Sequence, residues 1–236
     1  MATSFARVTI AALLIGACGG SAATATPAPT GAAVATATAT AASPTSAATA
    51  TTAATGATWT VGSTSKAVVS VREQLVGVSL PSDAVLTATG GTGTFTLKSE
   101  GTFSADSKIT FDLTTLSSDS HDRDNFVKQD TLQTRQFPKA ELVPTKTTGL
   151  TLPLAASGTF TFKLTGNMTV HGKTKEVTFD VVAKRNGSDL TATATLAPSL
   201  KFADFGMTAP SVPFRVLSIV DEIRLAVDIV ATGAAA

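Results

Sequence analysis

The sequence predicts an all-β fold: one antiparallel β-barrel of about eight strands with one short helix, preceded by a disordered tether. Three observations lead there. Apolar and polar residues alternate from Trp59 onward, the mark of half-buried strands. Short turn sequences separate the alternating runs. Before Trp59 the composition changes to small residues that cannot build a core.

The clearest run is Phe160 to Val170, where even positions are apolar or Gly and odd positions are Thr, Lys or Asn. A turn at His171-Gly172-Lys173-Thr174 follows. Val177, Phe179, Val181 and Ala183 then alternate with mostly polar neighbours. Arg185-Asn186-Gly187-Ser188 holds an Asn-Gly pair, a hairpin signal because both residues tolerate positive φ. Leu190, Ala192, Ala194 and Leu196 alternate with Thr beyond it. These three strands make a meander. Further strands are read at Ala67 to Leu80 (one long or two short), Ala84 to Thr89, Phe95 to Glu100, Ile109 to Leu113 and Ala140 to Lys146. The last is Ile219 to Val230, with Ile223, Leu225, Val227 and Ile229 on one face. Strands at this density suit a closed sheet or sandwich, and a barrel of about eight encloses one small ligand.

Ser120 to Leu132 breaks the alternation and predicts the helix. Ser118 or Ser120 serves as N-cap, and Asp122 and Asp124 sit against the positive end of the helix dipole. Phe137-Pro138 closes the segment.

Residues 1–17 predict an export leader. Arg7 supplies its one charge, and Val8 to Gly16 is an apolar run too short to span a bilayer. The run ends in Ile15-Gly16-Ala17-Cys18, which resembles a bacterial lipobox. On that reading Cys18 becomes the lipid-modified N-terminus and holds the chain to a membrane. The plainer reading is an ordinary signal peptide with an incidental cysteine. Residues 18–57 are the tether. From Ser21 to Thr58 the chain is Ala, Thr, Ser, Gly and Pro, with Val34 its one large aliphatic and no charge. Such a stretch cannot offset its chain entropy by burial, and as a coil it reaches roughly 35 Å. Residues 58–236 are left for the barrel.

Charge narrows the function. All 17 acidic residues and 17 of the 18 basic ones lie in the barrel, which is formally neutral. Neutrality gives no support for nucleic-acid binding or for a polybasic membrane patch. No Gly-x-Ser-x-Gly elbow or HExxH helix occurs, and nothing marks a nucleophile with its base, so no catalytic residue is assigned and the chain is read as no enzyme. Gly90-Gly91-Thr92-Gly93 lacks a following Lys and reads as a turn between strands. His121 lies beside Asp122 and Asp124, but no second His stands at ligand spacing, so no metal is expected. His171 sits in a turn, where its ring suits solvent.

Several short motifs follow one another. Ser118-Asp119 leads to Arg123-Asp124, and Leu132 precedes Phe137-Pro138-Lys139-Ala140. The run Gly166 to Val177 comes next, then Asp204-Phe205-Gly206 with Pro210, then Val220-Asp221-Glu222-Ile223. In this order they resemble the YceI-like family of bacterial polyisoprenoid-binding, lipocalin-like proteins, over about Trp59 to Thr232. The resemblance implies an extended barrel with an apolar lumen. It implies a long isoprenoid in that lumen, such as an isoprenoid quinone or its precursor, and no other cofactor. It implies export to the periplasm or cell envelope, and pairing into a homodimer, as relatives often do. The lipobox departs from the commonest secreted form and favours a tethered protein over a free shuttle.

The inward-facing set is Phe160, Phe162, Leu164, Val177, Phe179, Val181, Ile223, Leu225 and Val227. These residues either line a tunnel for an apolar lipid or simply fill the barrel. Gly166, Ala192 and Ala194 on the same faces are small enough to leave room. Arg123 either meets a polar ligand head at the barrel mouth or pairs with a carboxylate while Asp124 caps amides.

Overall fold

The computed structural model describes residues 56–211 and 215–233. The predicted leader, Cys18 and the tether up to residue 55 lie outside the described residues. Ten strands form one antiparallel sheet: β1 (Ala57–Val61), β2 (Lys66–Leu75), β3 (Ser82–Thr89), β4 (Thr92–Leu97), β5 (Lys108–Asp112), β6 (Lys139–Thr148), β7 (Ser157–Val170), β8 (Lys173–Asn186), β9 (Asp189–Leu196) and β10 (Val216–Gly233). One short helix, α1 (His121–Phe126), stands between β5 and β6.

The ten strands are eight staves. β10 runs antiparallel first to β2, from Val216 to Asp228, and then to β1, from Ala231 to Gly233. β1 and β2 are therefore one stave with a break at residues 62–65. β3 and β4 repeat this on the next stave, pairing with β2 and β1 in turn. From β4 each strand pairs with its successor, and β10 closes on the first stave. The fold is an up-and-down barrel of eight staves, as the sequence predicts.

The two breaks have a local cause. At the first, Ser65 is fully buried, and its hydroxyl accepts from Val230 N–H at 2.9 Å and donates to Val230 C=O at 3.2 Å. A side chain thus replaces a rung of the ladder, so Val230 keeps both bonds while the stave bends. At the second, Gly90-Gly91 is a kink inside a running stave, not the turn between strands that the sequence suggests. Gly90 takes a φ of 79°, and Gly91 N–H reaches Ser65 C=O at 3.3 Å. A Cβ on Gly91 would lie 2.8 Å from the Ser65 Cβ, so the close approach of the two bends requires glycine there.

The β7–β8 hairpin turns on His171-Gly172, with φ of 50° and 69°, and Val170 facing Lys173. Positive φ at both turn residues matches the strand twist. The β8–β9 hairpin turns on Gly187-Ser188, one residue later than the Asn-Gly pair indicates. Asn186 stays in the ladder opposite Asp189, and Gly187 N–H extends the adjoining β7–β8 ladder by one bond, to Ala156 C=O at 2.8 Å.

The segment 120–132 is helical, but not one regular helix. Ser120 is the N-cap, accepting from Arg123 N–H at 3.4 Å. Beyond Phe126 the turns widen, and Leu132 N–H bonds back five residues to Val127 C=O. Asp124 stays in the first turn, as expected. It turns back to accept from the Ser118 amide at 2.8 Å and hydroxyl at 2.6 Å.

The end of the barrel that holds Trp59 is closed. Trp59 is buried there, stacked on Phe95 with ring centroids 5.5 Å apart. The Arg185 guanidinium lies 5.5 Å from the Trp59 ring and donates to the carbonyls of Gly187, Leu154 and Ala155. A buried cation is held by three carbonyl oxygens and a π face.

Removing the Ser65 hydroxyl leaves the Val230 amide without this partner, while the Val230 carbonyl keeps Gly62 N–H at 2.7 Å. Ser65→Ala should lower unfolding free energy by about 1–3 kcal/mol in urea titration, with the barrel retained.

Candidate functional site

The sheet register sends Val69 on β2, Leu142 on β6, Leu164 on β7, and Leu225 and Val227 on β10 into the barrel. All five are only half-buried. Inward side chains that still meet a water-sized sphere border empty space. That space is a cavity of about 920 Å³ in the end of the barrel away from Trp59. It sits at the upper end of the range for small-molecule sites. Its walls are almost wholly aliphatic, with Phe111 on β5 and Phe179 on β8. Its roof is built from Phe126 at the end of α1, Val127 and Leu132 beyond it, and Leu200, Phe202 and Phe205 before β10.

A second cavity of about 90 Å³ lies at the closed end, under Trp59 and Phe95. Ile109, Leu164, Ala194 and Ile229 border both spaces and form the partition between them.

The structure distributes the sequence-predicted residues over these two spaces. Phe179, Ile223, Leu225, Val227 and Arg123 line the large chamber. Phe160, Phe162 and Val181 line the small one, and Leu164 both. Val177 borders neither. It faces inward but is packed in the core, where the turn Phe202–Phe205 presses on the start of β8. Gly166 leaves no room either: a Cβ there would lie 2.8 Å from Val143 C=O, because β6 bulges against it between Pro144 and Lys146. Ala194 borders both cavities and Ala192 the small one.

Four lining residues are exposed, and they mark the mouth: Val76 and Val78 after β2, Asp122 on α1, and Arg215 before β10. Leu80, Leu217 and Val220 extend the apolar lip outside it. Just inside the mouth Arg123 donates to Glu73 Oε1 at 2.7 Å, and its other terminal nitrogen pairs with Asp119. Glu73 is 7% exposed and Arg123 21%. Glu73 carries no motif. Its signal is positional: it lies two and four residues beyond the inward Val71 and Val69, so period two sends its carboxylate inward. Arg123 thus both pairs with a carboxylate and borders the chamber. His121 is exposed on the first turn of α1, and among the described residues no cluster of His, Cys, Asp and Glu is arranged to hold a metal ion.

The roof is pinned by charge. Asp204 accepts from Lys201 N–H at 2.9 Å and pairs with Lys175 on β8. The bonded Lys175 ammonium, with the Lys201 amide, holds the Asp204 carboxyl below the usual aspartate range. Asp221 accepts from Phe202 N–H at 2.9 Å. The His171 ring is not in solvent. It sits edge-on to Phe137, and its Nδ1 bonds Phe205 C=O at 3.2 Å.

Two outcomes follow. Arg123→Met leaves Glu73 in an apolar wall without its partner. It should cost about 2 kcal/mol, less than for a fully buried pair because Arg123 is partly solvated. Arg123→Met with Glu73→Met should recover most of that loss in a double-mutant cycle by urea titration. A depressed carboxyl stabilises above its unfolded pKa, and this stabilisation is lost as pH falls through the folded value. Acidification below the ordinary aspartate range should therefore release the Phe202–Phe205 turn. Amide exchange at Lys201 should rise there, and Asp204→Asn should show no such step.

Comparison with known proteins bears on this geometry. The polyisoprenoid-binding domain from Saccharophagus degradans implicated in plant cell wall breakdown superposes with a TM-score of 0.55 at 11% identity, over 74% of this chain and 97% of its own. BcnA from Burkholderia cenocepacia gives 0.52 at 17% identity, over 71% and 96%. These likenesses concern the fold. No curated protein matches the chain. A family model described as the YceI-like domain matches residues 59–231, nearly the whole barrel, and the chain belongs to that family.

Proposed function

We propose that this chain is a binding protein that holds one long apolar lipid of the isoprenoid class, such as an isoprenoid quinone, in the barrel. The observation that carries this reading is the hollow, aliphatic chamber with its single charged ring at one end. Each ligand methylene moved from water into such a chamber gains about 0.8 kcal/mol, so a long chain is retained without any specific polar contact. The family membership supports the same reading, since a relative of this fold is described as polyisoprenoid-binding. The Ile15-Gly16-Ala17-Cys18 sequence supports a second part: lipidation at Cys18 on the outer face of a bacterial membrane, with residues 18–57 as tether. We assign no chemistry to the chamber. Its guanidinium groups are held by carboxylates, and the reading is of a carrier or store, not an enzyme. Pairing of two copies belongs to the same proposal and is read by sedimentation of the full chain.

Native mass spectrometry of the full chain, with lipid extraction of the same sample, tests the reading. One adduct of isoprenoid mass per chain is expected. A bare mass that stays bare after incubation with quinones and polyprenols would sink it, leaving a ligand-free structural domain. Val69→Trp puts an indole into the chamber opposite Leu225. It should cut adduct occupancy at least tenfold while the circular dichroism of the barrel is unchanged. Metabolic labelling with palmitate tests the anchor, and Cys18→Ser should abolish the label.

A further inference from the structure

The chamber's charges carry an inference about which lipid it takes. It rests on the reading above and deepens it. Among the described residues, five charged side chains border the chamber: Glu73, Asp122 and Glu141, against Arg123 and Arg215. Carboxylates outnumber guanidiniums on the wall itself. Neither guanidinium is free. Arg123 gives one terminal nitrogen to Glu73 at 2.7 Å and the other to Asp119. Arg215 gives Nη1 to Asp122 at 3.1 Å. Glu141 is met from outside by Lys108 at 3.1 Å, and Lys108 does not border the chamber.

A phosphate or pyrophosphate head is bound in proteins by unoccupied Arg forks, Lys, or helix N-termini. On the buried part of the wall none is on offer: Arg123 is paired through both terminal nitrogens, and Arg215, bonded through Nη1 alone, lies 72% exposed at the outer rim. The start of α1 is taken up by Ser120, which accepts from Arg123 N–H, and by Asp119 and Asp122, whose charge repels an anion. A lipid ending in phosphate would bring two more negative charges to a rim where carboxylates outnumber guanidiniums, and could reach the buried Arg123 only by displacing Glu73. The remaining polar groups on the wall are the Ser120 and Thr131 hydroxyls, which suit a hydroxyl or a carbonyl.

We propose that the chamber selects isoprenoid lipids with an uncharged head, an alcohol or a quinone, and rejects the corresponding phosphates. Glu73 is the specificity-determining residue. It occupies the one buried guanidinium edge that an anionic head would otherwise use.

The test is a competition on the full chain at low ionic strength, where rim charges are least screened. Geranylgeraniol and geranylgeranyl phosphate share one hydrocarbon chain. Offered at equal concentration and read by native mass spectrometry, the alcohol adduct should exceed the phosphate adduct at least tenfold. Glu73→Gln removes a charge at constant shape and frees one Arg123 nitrogen. It should shift the phosphate-to-alcohol adduct ratio several-fold toward the phosphate. Asp122→Asn, at the exposed rim, should shift the ratio the same way to a smaller degree and guards against a folding defect in the first variant. Equal or greater phosphate binding by the wild type, or a ratio that neither variant moves, overturns the inference while the lipid-binding reading stands. If neither lipid binds, that reading falls and this one with it.

Discussion

Closure of the sheet through β10 is the constraint on which the rest depends. An open sheet would expose a row of unpaired amides and carbonyls along its edge. β10 removes that edge by serving both segments of the first stave, β2 along its first part and β1 along its last. Its 18 residues span the full barrel, and on one side they are matched by two strands, β2 and β1, in succession. The bends at Ser65 and Gly90-Gly91 are the consequence. They let two staves follow the curvature of the barrel without a lost hydrogen bond, and Ser65 carries the missing rung with its hydroxyl.

Closure also decides where the barrel is solid and where it is hollow. At one end, Trp59, Phe95 and Phe103 pack against one another, and Arg185 seals the rim through carbonyl oxygens. Bulky rings fill most of that end and leave only about 90 Å³. Toward the other end the inward residues are mostly Ala, Val, Leu and Ile, which are too small to meet across eight staves, and a chamber of about 920 Å³ results. The roof then falls to the two irregular segments, one after β5 and one before β10. Each is fixed by carboxylates at its margin: Asp124 on Ser118, Asp204 on Lys201 and Lys175, Asp221 on Phe202. The rim pair of Arg123 and Glu73 ties α1 to β2 at the mouth, so the same contact that holds the roof also sets the charge a ligand head would meet.

Much of this was legible in the residues. Alternation from Phe160 to Val170 and from Val177 to Ala183 placed the right faces inward, because strand period two admits no other choice once one face is apolar. Height along the barrel was not legible. Phe160 and Phe162 share a face with Leu164, yet they lie beside the small cavity, since β7 begins at the closed end. Val177 faces inward correctly but is capped by a roof segment that comes about 25 residues later in the chain. Gly166 looked like spare volume, and a bulge in β6 occupies it. Glu73 was missed because a single acidic residue near a strand end reads as a solvated position until its Arg partner is placed beside it.

The sequence by itself determined the class, the strand faces, the helix cap and the family. Each of these is local, or is a pattern of short motifs in order. Tertiary structure decided the rest. It joined β1 with β2 and β3 with β4 into single staves, a fact set by pairing with β10 far along the chain. It moved the β8–β9 turn by one residue, and it took His171 from solvent to Phe205. Above all it decided whether the inward face is a core or a cavity. Filling depends on summed side-chain volume across staves that are distant in sequence, and no single stave carries that information.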